Sequence, residues 1–86
     1  GGLIINNGAA TTTSNTLSLK VVAINAYEVN ISETETKSAT WVKYKDTISY
    51  TLQDDSTGNK TIYVRIRDNK GNELNKEVHE TIRKTE

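Results

Sequence analysis

The segment KTIYVRIRDNKGN, residues 60–72, sets the strongest constraint on how this chain can fold. Ile62, Val64 and Ile66 alternate with Tyr63, Arg65 and Arg67. Successive side chains of a strand point to opposite faces, so a period of two marks a strand with one buried face. The strand runs into Asp68, Asn69, Lys70, Gly71 and Asn72, all turn formers. Gly71 is free to take a positive φ there, and the Asp68 carboxylate can cap the bend. A strand ending in a tight polar turn calls for an antiparallel partner, so the segment predicts a β-hairpin.

The same period recurs upstream. Leu3, Ile4 and Ile5 form a short apolar run stopped by Asn6, Asn7 and Gly8, a first strand or strand fragment. Residues 9–15 are small and polar and read as extended chain. Leu17, Leu19, Val21 and Ala23 share one face, with Ser18 and Lys20 on the other. Tyr27, Val29 and Ile31 alternate with Glu28, Asn30 and Ser32, and Ile48, Tyr50 and Leu52 repeat the pattern. Residues 33–39 read as a loop and residues 40–45 as a strand of ambiguous face, because the neighbours Trp41 and Val42 must point opposite ways. Residues 54–59, DDSTGN, form a turn cluster. Proline is absent, so Gly, Asn, Asp and Ser must make every turn.

Residues 72–86 admit two readings. Leu74, Val78 and Ile82 are spaced by four among charged residues, as in an amphipathic helix, and Glu80 with Lys84 would be a favourable i,i+4 pair. The same three residues share parity, so a strand also fits, with Lys76 and Glu80 as charged residues on its inner face. The hairpin favours the strand, at least over residues 78–82. Short strands separated by turn signals indicate an all-β sandwich or small barrel. The predicted core is Leu17, Leu19, Val21, Val29, Ile31, Ile48, Leu52, Ile62, Val64 and Ile66.

Size limits function. The 86 residues make a single domain, with residues 1–2 and 84–86 read as linker. A chain this short buries only about 60% of its unfolded surface. At 34% hydrophobic residues it has little apolar surface for a deep pocket as well as a core. Its 11 basic and 11 acidic residues balance, without the basic face that nucleic acids or anionic membranes require. No apolar run approaches the roughly 20 residues of a membrane helix, so no membrane insertion is expected. The lack of cysteine removes disulfides, thiolate metal sites and a Cys nucleophile.

Candidate chemistry is sparse. His79 is the only histidine, and its parity in a strand turns it to solvent without a second metal ligand at suitable spacing. The DDSTGN turn is rich in oxygen but lacks the length and distal bidentate Glu of an EF-hand loop. No nucleophile, base and orienting group occur as a set, and no phosphate-binding glycine loop is present, so neither catalysis nor a cofactor is expected. Trp41 and Tyr44 are the candidate ligand-binding residues. Trp41 serves either as a core anchor between sheets or as a stacking platform for a sugar ring. Tyr63 reads equally as a surface residue or as a tyrosine corner.

These motifs together resemble the bacterial immunoglobulin-like repeat domains of secreted and cell-surface proteins. The likeness runs from residues 4–9 (IINNGA) through the Leu17–Ala23 and Tyr27–Ser32 strands, Trp41 with Tyr44, and residues 50–52 (YTL). It continues through residues 58–64 (GNKTIYV), the turn at residues 68–72 and the closing strand at residues 78–82. The connection at Asn25 and Ala26 is shorter than such repeats often have, and the proline often found near their tryptophan is missing. The resemblance implies an immunoglobulin-like antiparallel sandwich of about seven strands. It implies a non-catalytic spacer in a larger exported bacterial protein, with its export signal outside this segment. Its partners would be the neighbouring domains of the parent chain, and the isolated domain would be a monomer. The alternative is an adhesion module that binds a cell-wall or host glycan, or a protein, through a sheet face or the end loops.

Overall fold

The computed structural model describes residues 2–74 and 77–86. It is all-β: β1 (Gly2–Ile5), a tight turn (Asn6–Gly8), β2 (Thr11–Thr12), β3 (Thr16–Val22), β4 (Glu28–Ser32), β5 (Val42–Lys43), β6 (Thr47–Thr51), β7 (Gly58–Arg67) and β8 (Val78–Lys84). One sheet has the order β1-β3-β6 and the other β2-β8-β7-β4-β5. Neighbours are antiparallel except β2, which runs parallel to β8.

The described residues form eight strands because the first edge is divided between the sheets. Asn6, Asn7 and Gly8 take φ values of 49°, 57° and 87°. Asn tolerates this left-handed region and Gly has no penalty there. The three residues redirect the chain from β1 in one sheet to β2 in the other. The Asn6 Oδ1 accepts the Ser18 N–H at 2.8 Å, which fixes the turn to β3.

Both sheets send alternate residues inward. Leu3 and Ile5 of β1, Leu17, Leu19 and Val21 of β3, Val29 of β4, Leu52 just after β6, Ile62 and Val64 of β7, and Ile82 of β8 form the buried core. Ile31, Ile48 and Ile66, predicted as core, pack against this cluster but are only half-buried. Ile31 and Ile48 lie toward the open side of the sandwich-like fold, where the sheets end in β5 and β6. Tyr27, grouped with Val29 by its parity, precedes β4 and is exposed. The strand expected over residues 40–45 is only Val42–Lys43.

The predicted hairpin turn is present. Gly71 has φ +86° and its N–H donates to the Asp68 carbonyl at 3.1 Å. Asp68 Oδ1 accepts the Lys70 and Asn72 N–H groups, both at 2.9 Å. Beyond it the chain returns as β8, a strand and not a helix, with Val64 opposite Val78 and Lys60 opposite Ile82. Pairing with β7 satisfies a row of backbone groups that a helix would leave open. Of the two charged residues expected on its inner face, Lys76 lies outside the described residues. Glu80 is exposed, beside a shallow groove between β8 and β1.

Two residues read as linker belong to the sheets: Gly2 pairs with Val22 and Lys84 with Gly58. Lys84 and Lys60 are both buried, their stems along the core and their ammonium groups at the end of the fold. There Lys84 donates to the Asp55 carbonyl at 3.0 Å, and Lys60 donates to Ser56 Oγ at 3.0 Å and pairs with Asp54 Oδ2 at 3.1 Å.

Replacing Val64 with Ala should destabilise the fold by about 1–3 kcal/mol, out of a typical total of about 5–15 kcal/mol. Val42→Ala, at an exposed edge position, should stay within about 0.5 kcal/mol. Urea denaturation of the two variants checks the difference. Equal midpoints would remove Val64 from the core.

Candidate functional site

β4 and β5 are joined by residues 33–41, a segment tied down by polar side chains on the outer face of the larger sheet. Asn30 alternates with the inward Val29 and Ile31, yet it is fully buried because this segment covers it. Its Nδ2 donates to the Ser38 and Thr40 carbonyls at 2.9 and 3.3 Å, and its Oδ1 accepts the Ser38 N–H at 3.0 Å. Ser32 Oγ donates to the Thr36 carbonyl at 2.7 Å. Arg65 donates to the Glu35 carbonyl, and Lys37 pairs with Glu73. A buried amide with three hydrogen bonds holds the segment far more firmly than an exposed one, since any unmade bond there costs its full desolvation.

Trp41 ends this segment. It is half-buried and lies outside the core cluster, so it does not anchor the core between the sheets. The Arg67 guanidinium sits over its ring, 4.2 Å from the centroid, and Arg67 is itself paired with Glu28 at 2.6 Å. A cation over the indole face is attracted by the ring quadrupole. Tyr44 points the other way: its ring packs on the core and its hydroxyl donates to the Val21 carbonyl at 2.8 Å, across to the smaller sheet. The two candidate residues therefore do not form a paired stacking platform. Tyr44 makes the hydroxyl-to-backbone tie considered for Tyr63, whose ring is tilted against His79 with centroids 5.5 Å apart. His79 faces solvent, as its parity predicts, with Nδ1 2.7 Å from Glu77 Oε1.

A cleft of about 1040 Å³ lies on the open side of the fold. One wall is β6, the edge of the smaller sheet. The other is β5 with residues 33–40, the edge of the larger. Ile31, Ile48, Tyr50 and Val42 supply its apolar surface, and Lys43 and Lys45 stand at its rim. Glu33 closes one end: its Oε2 accepts the Tyr50 hydroxyl at 2.6 Å and the Gln53 N–H at 2.7 Å, and its Oε1 accepts the Asp54 N–H at 3.3 Å. Burial, then the hydrogen bond and negative charge of Glu33, push the Tyr50 hydroxyl well above the usual tyrosine range.

Asp54 is committed within its own turn. It accepts the Ser56 hydroxyl at 2.7 Å and the Ser56 N–H at 3.1 Å and faces the Lys60 ammonium, and these contacts bring its pKa down to about 2. Among the described residues, no group of three or more His, Asp or Glu side chains could hold a metal ion. The cleft offers hydroxyls, apolar side chains and lysines, which suit binding. Asn30 and Glu33 were not singled out in the sequence. The one available signal was an Asn inside a strand with no turn beside it.

Tyr50 gives a pH test. Its folded pKa lies above the ordinary value of 10.0, so the folded state holds this proton more tightly. That stability is fully present below pH 10 and is lost as the pH rises above it. Tyr50→Phe should flatten the alkaline fall seen in urea midpoints measured across that range, and an unchanged slope would remove Tyr50 as its source. For Trp41, Arg67→Ala uncovers the indole, so its emission should shift red and acrylamide quenching should increase. Unaltered emission would show that Arg67 does not shield the ring. No known family model, curated protein or solved structure matches the chain.

Proposed function

We propose that this chain is a non-catalytic, immunoglobulin-like spacer module of a larger exported bacterial protein. The path of the chain carries this reading. β1 starts where Gly2 pairs with Val22, and β8 finishes where Lys84 pairs with Gly58. The register puts these two points at opposite ends of the strands, so neighbouring domains would continue in line.

The strand order supports the immunoglobulin-like assignment. β1, β3 and β6 take the places of strands A, B and E in one sheet, and β4, β7 and β8 those of C, F and G in the other. The short β2 adds to the edge of the second sheet beside β8. Fold by itself does not fix function, and the mechanical role rests on this β2–β8 contact. Tension applied at the two ends slides β2 and β8 along each other, so their bridging bonds are loaded together. Those bonds include Arg83 N–H to the Ala10 carbonyl at 3.2 Å and Thr85 N–H to the Thr12 carbonyl at 2.8 Å.

No helix among the described residues is long and apolar enough to cross a membrane. Placement at the cell surface is part of the proposal and follows from the spacer reading. The second reading, an adhesion module with a glycan or protein ligand, draws on the cleft between β5 and β6.

Single-molecule stretching between the chain's own ends tests the spacer reading. Thr85→Pro deletes the N–H that reaches Thr12. It should lower the unfolding force while leaving the urea midpoint nearly unchanged. An unchanged unfolding force would remove the β2–β8 clamp and with it the mechanical reading.

A further inference from the structure

Among the described residues, no strand pairs with the outer edge of β6. Val21 N–H donates to the Asp46 carbonyl at 2.9 Å and Leu52 N–H to the Asn15 carbonyl at 2.7 Å. Together with the register, Leu19 opposite Ile48 and Leu17 opposite Tyr50, these bonds fix the alternation. Residues 46, 48, 50 and 52 turn their backbone groups to β3, so Thr47, Ser49 and Thr51 turn theirs to the open edge. Natural sheet edges are usually blunted by proline, a bulge, an inward charge or a covering element. The five residues of β6, TISYT, contain no proline and no charge.

The space beside this edge is the cleft. A strand added to β6 lies about 4.8 Å away, beneath β5 and residues 33–40, with its inward side chains meeting Ile31, Ile48, Tyr50 and Val42. The overhang limits what can enter. A second folded copy pairing through its own β6 would bring its β4 and β5 into the space that β5 already occupies. A lone extended segment has no such layer. Charge then sets its polarity. Lys43 and Lys45, at the Thr47 end, make no ion pair among the described residues, whereas Lys37 is paired with Glu73 and Asp54 with Lys60. Antiparallel addition is the more stable mode, and it places the C-terminal end of the incoming segment beside those two lysines.

We propose that β6 binds an extended peptide segment of a partner protein by antiparallel strand addition, with apolar residues at alternate positions and an acidic C-terminal end. This goes beyond the spacer reading and does not depend on it.

The probe is the synthetic peptide acetyl-Thr-Val-Thr-Ile-Thr-Ser-Glu, whose Val and Ile fall opposite Tyr50 and Ile48, whose Ser falls opposite Asp46 and whose Glu falls opposite Lys45. Amide exchange by NMR should show Thr47, Ser49 and Thr51 unprotected in the free chain and protected when the peptide is added. Ser49→Pro removes one edge N–H without touching the bonds to β3, and should weaken binding about tenfold. Lys45→Glu should weaken the acidic peptide and favour the same peptide with its last residue changed from Glu to Lys. Three results would overturn the proposal: slow exchange at these amides in the free chain, no binding of the peptide at about 1 mM, or binding indifferent to both substitutions. Concentration-dependent protection without peptide would instead assign the edge to a second copy and refute the overhang argument.

Discussion

The register of β7 is the constraint on which the rest depends. β7 pairs with β4 on one side and β8 on the other, and its Ile62 and Val64 are completely buried. A slip of one residue would exchange the two faces of the strand. Tyr63, Arg65 and Arg67 would then enter the core, and the ties from Arg65 to Glu35 and from Arg67 to Trp41 would be lost. One choice of register thus builds the interior and also positions the polar residues that hold the 33–41 segment outside. The hairpin turn reinforces it, since Asp68 binds two N–H groups of the bend and Gly71 supplies the positive φ.

Much of this was legible in the sequence because strands with one buried face write their orientation at every second residue. Leu17, Leu19, Val21, Ile62 and Val64 could be placed inward from alternation alone. Helical spacing and strand parity coincide at Leu74, Val78 and Ile82, so β8 needed the preceding turn to decide it. The half-buried state of Ile31, Ile48 and Ile66 was not legible, because periodicity tells which face a residue takes and not how completely the opposite sheet covers it. The division of the first edge between two sheets was hidden too: it depends on the left-handed conformations of Asn6 and Asn7, and Asn adopts other conformations as readily.

The candidate site was the least visible part. Trp41 has neighbours of both polarities, and its environment is set by Arg67, 26 positions further along the chain. Composition could count Asn30 but not reveal that residues 38 and 40 fold back over it. The cleft is a property of two sheet edges, β5 and β6, which belong to different sheets and become neighbours only when the core closes.

The parallel contact of β2 with β8 has a consequence for how the chain reaches its fold. Thr12 and Thr85, which bond across it, are separated by 73 positions. Contacts between such distant residues form only after the intervening chain has been organised, and folds rich in them form slowly. β2 must therefore wait for β8 during synthesis, and until then it has no strand to pair with. Acquisition of the native state is an event of the entire domain, with no sub-assembly of its early strands able to seal the interior first.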